Sequence, residues 1–315
     1  MNSQLEENTI DGPDISIIIP AYNEEDFIGK TLKRIYQLLP QTLKAEVIVV
    51  DNCSDDNTGK IIQSFNCRYL SMDKKSNPSK VRNFGANLAK GKVFVFLDAD
   101  ILITKTWLDE LTTELPALLS NNLTLTGAQC SISEVPGWLE KNWFIQLENK
   151  EPNYINGSNI IIHNENFKLL GGFDENLDAG EDVDFSKRAR LCELNVVNNP
   201  KYLVHHEGYP KTIHDFIRRE MWHGSSDFKS LKRFFSSKTA IAGCLLLLLL
   251  LLDIVALIFM PLLFGLLFFM GVILFCVFIV YMKFGVLEKQ TFLINTFICF
   301  FYLLGRALSP LRLLR

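Results

Sequence analysis

Residues 240–282 contain a single charged side chain, that of Asp253, and this long apolar segment limits what the chain can fold into. A transmembrane helix needs about 20 apolar residues, so the segment is too long for one span and long enough for two. Pro261 lies at its midpoint, which predicts a hairpin of two helices, roughly 241–260 and 262–282. A buried hairpin of a soluble protein is the alternative. The all-leucine stretch 245–252 has no polar face at any helical period, which favours the membrane.

Basic residues lie on both flanks of the predicted hairpin: Lys229, Lys232, Arg233 and Lys238 before it, and Lys283 and Lys289 after it. Positive charge is enriched on the cytoplasmic side of membrane proteins, so we expect both flanks to contact the inner (cytoplasmic) membrane from the cytoplasm. The larger N-terminal region is then cytoplasmic as well, and membrane lipid is one of its partners.

A third apolar segment, 291–305, is short and is followed by Arg306, Arg312 and Arg315. Spanning the bilayer would carry these charges across, so we expect the segment to lie in the interface or to re-enter the membrane. Asp253 is expected to be functional or to pair helices, because charged residues inside spans are costly and rarely accidental.

The overall composition excludes several classes of protein. A formal net charge of −3 gives no reason to expect nucleic-acid binding, which needs a concentrated basic surface. The 7 cysteines are scattered without a C-x-x-C pair, so neither a zinc site nor a disulfide framework is predicted, and a reducing compartment is favoured. Residues 1–13 are polar and acidic, which predicts a flexible N-terminus rather than a signal peptide.

Apolar strand patterns alternate with helical patterns in the first hundred residues. Strands are predicted at 15–19, 47–50 and 93–97, and helices at 25–39 and 79–90. Strands that are apolar throughout and are joined by helices indicate a parallel sheet of the α/β class. In such sheets ligands bind beyond the carboxyl ends of the strands.

The residues that follow these three strands are unusually acidic and rich in asparagine. They read PAYNEE (20–25), DNCSDD (51–56) and DAD (98–100). Asp98 and Asp100 are two residues apart, so on a strand both carboxylates point to the same side. They either end the strand in water or hold a cation, and oxygen ligands favour Mg²⁺ or Mn²⁺.

Four blocks in this order resemble the family 2 glycosyltransferases, inverting enzymes of the GT-A fold, across about residues 14–225. The blocks are SIIIPAYNEE, VVDNCSDDNTGKII, SKVRNFGANLAKGKVFVFLDAD and GSNIIIHNENFKLLGGFDENLDAGEDVDFSKRAR. The resemblance implies a GT-A domain over 14–235 and a membrane region over 240–315. It also implies a nucleotide-diphosphate sugar as donor and a glycan or lipid-linked acceptor.

The resemblance assigns donor-site roles by position. Asp51 would accept a hydrogen bond from the nucleotide base, in a pocket lined by Pro20, Tyr22, Asn23 and Glu24. Arg82 would lie near the diphosphate. Asp98 and Asp100 would form the D-x-D element that contacts the ribose and a divalent metal, Mg²⁺ or Mn²⁺. A late histidine, His205 or His206, would add a contact to the metal or the diphosphate.

On the acceptor side, Asp182 aligns with the family's catalytic base, which takes a proton from the attacking hydroxyl. Glu181 and Asp184 can serve simply as helix-capping acids. Gly157 and Ser158 open a predicted strand, 157–162, along the acceptor side, although a tight turn explains Gly157 equally well.

The segment 204–224 ends in a sequence similar to the Q/R-x-x-R-W element of processive members. Arg218 and Trp222 are in place, and Trp222, like Glu181, is expected on the acceptor side. Met221 replaces the second arginine, so polymer synthesis is not expected.

The leading prediction is a membrane-anchored inverting transferase that moves one sugar to an acceptor hydroxyl for a surface glycan or lipid-linked saccharide. A polyprenyl-phosphate glycosyltransferase, similar to dolichol-phosphate mannose synthase, is the first alternative. Its acceptor is already an anion and needs no base. An inactive sugar-nucleotide-binding membrane scaffold is the second. It would be expected to have lost an acid at the metal or base position, and all three acids are present.

Overall fold

A computed structural model describes residues 12–148, 153–177 and 179–312 of the chain. The predicted flexible N-terminus therefore falls almost entirely outside the described residues. The chain forms two compact units. The first comprises Met1–Ser131 with Glu151–Gly208, and the second comprises Ile132–Lys150 with Tyr209–Arg315.

The first unit is built on a 7-stranded sheet with the order β3-β2-β1-β4-β8-β6-β9 and a 3-stranded sheet with the order β5-β10-β7. The strands are β1 (Ile15–Ala21), β2 (Ala45–Asp51), β3 (Arg68–Ser71), β4 (Val93–Leu97), β5 (Ile101–Ile103), β6 (Thr124–Gly127), β7 (Cys130–Ser131), β8 (Asn159–His163), β9 (Asn195–Asn198) and β10 (Val204–His206). The predicted strands at 15–19, 47–50 and 93–97 are thus confirmed as β1, β2 and β4.

The helices of the first unit are α1 (Ile28–Leu38), α2 (Thr58–Gln63), α3 (Pro78–Leu88), α4 (Lys105–Leu119), α6 (Asn164–Leu169) and α7 (Glu181–Leu191). Those of the second unit are α5 (Ile145–Glu148), α8 (Ile213–Gly224), α9 (Leu231–Ser236), α10 (Lys238–Phe259), α11 (Leu262–Phe284) and α12 (Lys289–Ala307). A π-helical turn, Glu140–Phe144, precedes α5.

The main sheet is buried on both faces, as the apolar strand sequences predict. Ile17 and Ile19 of β1 point into one core cluster, and Ile18 points into the other. β1 pairs in parallel with β2, so that Ala21 is level with Asp51, and in parallel with β4. The α/β class is therefore confirmed.

The three strands predicted to be parallel, β1, β2 and β4, are parallel, but the sheet as a whole is mixed, because β8 runs antiparallel to β4 and β6. All residues of β8 are buried, as expected of a central strand in either direction. Burial depends on position within the sheet and not on strand direction, so the sequence pattern could not distinguish the two.

The small sheet begins directly after the D-x-D element. β5 pairs antiparallel with β10, and Ile101 is level with His206. This pairing fixes the end of β10 beside the chain that leaves Asp100.

The second unit contains the two helices that are long and apolar enough to cross a membrane, within the described residues. They are α10 and α11, and they correspond to the predicted spans at 241–260 and 262–282. The third apolar segment forms α12, which does not meet the same criteria. Its placement in the membrane interface stays a prediction.

Residues 209–235 were assigned to the nucleotide-binding domain from sequence, but in the structure they group with the C-terminal helices. Aromatic packing explains the grouping, since Trp143 contacts Phe216 of α8, Phe284 of α11 and Tyr302 of α12. Glu220 of α8 is buried and pairs with Arg306 of α12, with 2.9 Å between Oε2 and Nε.

Gly91, in the loop before β4, tests how tightly this sheet is packed. A Cβ added there would stand 2.5 Å from the backbone nitrogen of Ser16, which cannot move without shifting β1. We expect Gly91→Ala to lower the free energy of unfolding of the first unit by about 1–3 kcal/mol. Urea denaturation followed by tryptophan fluorescence measures this. Gly12→Ala, whose Cβ would meet Lys90 O at 3.9 Å, is the control. Equal stability of the two variants would contradict the packing described.

Candidate active site

The loops that follow β1 and β2 are joined side by side at the carboxyl edge of the main sheet. Asn23 Nδ2 donates to Asp55 Oδ1 at 2.6 Å, and the Glu24 N–H donates to Thr58 Oγ1 at 2.7 Å. Asn23 has a φ of 55°, a left-handed conformation that asparagine tolerates better than most residues. These hydrogen bonds join the acidic loops after β1 and β2 into one continuous surface.

Asp51 lies at the end of β2, nearly buried, in the region predicted to hold the nucleotide base. Its Oδ1 accepts from the Ser54 N–H at 3.0 Å, and its Oδ2 accepts from the Tyr69 hydroxyl at 3.0 Å. An ionised carboxylate has about four lone-pair sites, so acceptor capacity is left for a base N–H. Burial and the neighbouring Asp51 raise the pKa of Tyr69, which keeps its hydroxyl a donor.

Tyr22 and Pro20 flank this region on β1 and the loop that follows it. Pro20 is level with Val50 of β2 and is partly exposed. The ammonium of Lys75 lies 3.6 Å from the centre of the Tyr22 ring. The sequence analysis did not identify Tyr69 or Lys75, because Tyr69 lies in β3 and Lys75 follows it, and this strand is too short to recognise from its sequence.

Asp98 uses both of its carboxylate oxygens within the first unit. Arg82 donates to Oδ1 at 2.6 Å, and the Ser158 hydroxyl donates to Oδ2 at 2.5 Å. Desolvation would raise the pKa of Asp98, but the Arg82 charge and these hydrogen bonds outweigh it and lower the pKa below its ordinary value. Asp98 is therefore ionised and fixed in orientation.

Asp100 has a different environment, in which His206 is the nearest basic group. His206 Nε2 lies 3.3 Å from Asp100 Oδ2, and the Glu207 N–H donates to the Asp100 carbonyl at 2.9 Å. Burial and the Asp98 charge raise the pKa of Asp100 in spite of His206. Successive residues of a strand face opposite sides, so the structure places His206, and not His205, beside Asp100.

Glu24 adds a third carboxyl group to this part of the site. Burial, followed by the charges of Asp100 and Asp98, raises its pKa from 4.5 to about 8. At neutral pH it is therefore largely protonated.

The side chains present supply part of a coordination shell for a divalent cation. Within the described ranges, no three His, Cys, Asp or Glu side chains are grouped to hold a metal ion by themselves. Asp100 and His206 offer one oxygen and one nitrogen donor, and hard cations commonly complete their shell with phosphate oxygens and water. The donor set fits a cation that binds together with a diphosphate.

Asp182 lies in the first turn of α7, after Gly180, whose φ is 80°. Its Oδ2 accepts from the Gly157 N–H at 3.1 Å, and its Oδ1 accepts from the Val183 N–H at 2.8 Å. Burial and the adjacent Glu181 raise the pKa of Asp182, against the effect of these hydrogen bonds and of Arg82. A carboxylate with a raised pKa and a fixed orientation is suited to accept a proton.

Gly157 and Ser158 form a turn, and the predicted strand starts two residues later, at Asn159. A Cβ on Gly157 would meet Arg82 Nη2 and Asp182 Cβ, each at 3.5 Å. The backbone of this turn therefore passes close to both the donor-side arginine and the predicted base.

Trp222 does not belong to the first unit, in contrast to the other predicted site residues. It lies on α8 in the second unit and is 42% exposed. Its predicted role on the acceptor side stays a prediction.

Comparisons with known proteins show what the chain is similar to. The family profile described as Glycosyl transferase family 2 matches residues 16–167. Over these residues, just under half of the chain, the sequence is similar to glycosyl transferase family 2. The matched region includes the D-x-D element and ends before α7.

Two curated relatives extend the similarity. Glycosyltransferase AglE of Haloferax volcanii is 28% identical over 189 residues, which are 56% of this chain and 61% of that protein. Polypeptide N-acetylgalactosaminyltransferase 8 of Drosophila melanogaster is 27% identical over 227 residues, 62% of this chain and 38% of that protein. The chain thus spans less than two thirds of the length of either relative.

A solved structure shares the fold. The mannosyltransferase PcManGT of Pyrobaculum calidifontis, in complex with GDP-Man and Mn²⁺, aligns with a TM-score of 0.56 at 18% identity. The alignment covers 96% of this chain and 88% of that one. The chain therefore has the GT-A fold.

Gly208 lies beside Asp100 and is a residue that the sequence analysis missed. A Cβ there would stand 1.9 Å from Asp100 Oδ2 and 2.9 Å from its Cγ, so only glycine leaves the carboxylate in place. Nothing in the sequence distinguishes Gly208 from the other glycines. Its contact with Asp100 follows from the pairing of β5 with β10, which the sequence does not reveal.

We expect Gly208→Ala to displace the Asp100 carboxylate without unfolding the protein, because the displaced group is the end of a side chain. A shift of about 1 Å at a reacting site can cost on the order of 100-fold in rate. Metal-dependent hydrolysis of the donor sugar nucleotide should fall by about that factor, and the melting temperature should match that of Gly12→Ala. Undiminished hydrolysis in Gly208→Ala would show that Asp100 is not needed where it stands.

Proposed function

We propose that this glycosyltransferase moves a sugar from a nucleoside-diphosphate donor to an acceptor hydroxyl with inversion at the anomeric carbon. The observation that carries the proposal is that Asp182 and Asp98 are held by adjacent residues of one turn. Asp182 accepts from the Gly157 N–H, and Asp98 accepts from the Ser158 hydroxyl. A proton acceptor and a D-x-D element are thereby fixed within one site.

The donor class follows from the charge distribution and from the relatives. PcManGT is described in complex with GDP-Man and Mn²⁺, and it shares the fold over most of both chains. In the present chain, Asp100 and His206 would hold a divalent cation, Mg²⁺ or Mn²⁺. When bound, the cation neutralises the diphosphate leaving group. The identity of the sugar, hexose or N-acetylhexosamine, is left to experiment.

The remaining chemistry belongs to side chains of this chain. Asp182 accepts the proton of the acceptor hydroxyl as its oxygen attacks the anomeric carbon. The bond from that carbon to the diphosphate oxygen breaks on the opposite face, which inverts the configuration. The electron pair of the broken bond leaves with the diphosphate. Asp51 orients the nucleotide base of the donor, and Tyr22 and Lys75 border the pocket that holds it.

The second unit supports a membrane location for this reaction. The helices α10 and α11 are long and apolar enough to span a bilayer, and basic residues flank the pair. We propose that both flanks, and with them the active site, are cytoplasmic. A glycan or lipid-linked acceptor at that leaflet fits this location.

The proposal is tested with detergent-purified protein, Mn²⁺ and a panel of donors: UDP-glucose, UDP-N-acetylglucosamine, dTDP-glucose and GDP-mannose. Wild type should turn over one donor, and Asp100→Asn should lose metal-dependent turnover. Asp182→Asn should lose transfer to a hydroxyl by about 10²- to 10⁴-fold, the usual contribution of a general base. Asp109→Asn, an exposed acid on α4, is the matched control.

Two outcomes would replace the proposal. Full-rate glycosylation of polyprenyl phosphate by Asp182→Asn would identify a polyprenyl-phosphate glycosyltransferase, whose anionic acceptor needs no base. Donor binding by folded wild type without any turnover would identify a sugar-nucleotide-binding scaffold.

A further inference from the structure

Arg82 joins the donor-side acid to the helix that carries the predicted base. Its Nη2 donates to Asp98 Oδ1 at 2.6 Å, and its Nη1 donates to Glu181 Oε1 at 2.8 Å. Arg82 is only 4% exposed, and the neighbouring negative charges outweigh its burial and raise its pKa. Each terminal nitrogen of the guanidinium therefore donates a hydrogen bond to a carboxylate of the chain.

A second connection links the same two places through the turn before β8. The Ser158 hydroxyl donates to Asp98 Oδ2, and the Gly157 N–H donates to Asp182 Oδ2. Gly157 and Ser158 are consecutive, as are Glu181 and Asp182. The two connections therefore close a ring that begins and ends at Asp98.

Such a ring restricts motion more than its separate bonds do. The Arg82 guanidinium is planar, and its two prongs have fixed directions, so Asp98 and Glu181 cannot move independently. The Gly157–Ser158 peptide is planar as well and fixes the second side. The base helix α7 and the end of β4 are thus held at one separation.

We propose that Arg82 is a positioning residue that sets the distance between the D-x-D element and the base Asp182, and not a ligand of the diphosphate. This inference rests on the proposed function, because it assigns Arg82 a role within that reaction. It replaces the role that the sequence resemblance implies for Arg82. The hydrogen bonds that the structure gives the two terminal nitrogens of Arg82 go to carboxylates of the chain, one to Asp98 and one to Glu181.

The pKa of Asp182 depends on the charges around it and can be followed through the pH profile of activity. Glu181, Arg82 and Tyr154 are the charged or titratable groups that act on Asp182 or respond to it. Glu181 raises the pKa of Asp182, and Arg82 lowers it. Because Asp182 must be ionised to accept a proton, the acidic limb of the activity profile follows its pKa.

Two substitutions separate geometry from charge. Arg82→Lys keeps the positive charge but loses the two-pronged fork, so it opens the ring. Glu181→Gln removes the negative charge but keeps an oxygen that Arg82 can donate to. Asp184→Asn is the matched control, since Asp184 pairs with Arg188 on the same helix at 2.7 Å and lies outside the ring.

For Arg82→Lys we expect kcat for donor hydrolysis to fall about 10- to 100-fold, as misplacement of a base predicts. The Kd for UDP or GDP with Mn²⁺, whichever wild type binds, should stay within about threefold, since no phosphate ligand is lost. The acidic limb should not move, because the charge is kept. Glu181→Gln should extend activity to lower pH, because removing its charge lowers the pKa of Asp182.

The double variant Arg82→Lys/Glu181→Gln should lose little more kcat than Arg82→Lys alone, because both substitutions act on one connection. Asp184→Asn should match wild type in kcat, Kd and pH profile. If Arg82→Lys does not fold, Ser158→Ala opens the same ring at its other side. It should likewise lower kcat and leave the Kd for the nucleotide nearly unchanged.

A diphosphate-binding role would give the reverse pattern. Arg82→Lys would then weaken binding of UDP or GDP at least about tenfold while kcat at saturating donor stayed near wild type. An unchanged pH profile in Glu181→Gln would count against Asp182 as the base, and so against the proposed function. Failure of wild type to bind or hydrolyse any donor would also refute the proposed function, so failure of the inference and failure of the proposed function are distinguishable.

Discussion

Mutual repulsion of carboxylates at one edge of the main sheet is the constraint on which the rest of the site depends. Burial, followed by the charges of Asp100 and Asp98, raises the pKa of Glu24 to about 8. Arg82 forms ion pairs with both Asp98 and Glu181, whereas Asp100 has His206 as its nearest basic group. A proton on Glu24 reduces the remaining negative charge, and we infer that a divalent cation compensates it when donor binds.

The antiparallel strand β8 brings the acceptor half of the site to this edge. Its first residue, Asn159, is level with Leu97, the last residue of β4. The turn before β8 therefore meets the D-x-D element, and Ser158 reaches Asp98. A parallel β8 would begin at the opposite edge of the sheet, and the connection from Asp98 through Ser158 and Gly157 to Asp182 could not form.

Much of the donor half is predictable from sequence, because it depends on local patterns. Strands β1, β2 and β4 are apolar throughout, and parallel strands place their carboxyl ends at one edge, so three acidic loops had to converge. The direction of β8, the partners of Arg82 and the contact of Gly208 with Asp100 were not predictable. Each depends on which distant segments become neighbours, and periodicity within a segment carries no information about that.

In the second unit, too, some features are predictable from sequence and others are not. The two apolar helices follow from composition, and α10 and α11 begin and end within three residues of the predicted bounds. The grouping of α8 with the C-terminal helices does not follow from composition, since it rests on Trp143 and on the buried Glu220–Arg306 pair. These are long-range contacts between segments that each resemble ordinary amphipathic sequence.

Mn²⁺ titration followed by electron paramagnetic resonance, with and without UDP or GDP, tests the central claim most directly. The chain supplies only part of a coordination shell, so Mn²⁺ alone should bind weakly. A nucleoside diphosphate should tighten its binding by a factor of about 10 to 100, within the usual range of coupling between two ligands. By linkage, Mn²⁺ should tighten nucleotide binding by the same factor. Equal Mn²⁺ affinity with and without nucleotide would show that the carboxylate cluster does not act as a shared cation and diphosphate site.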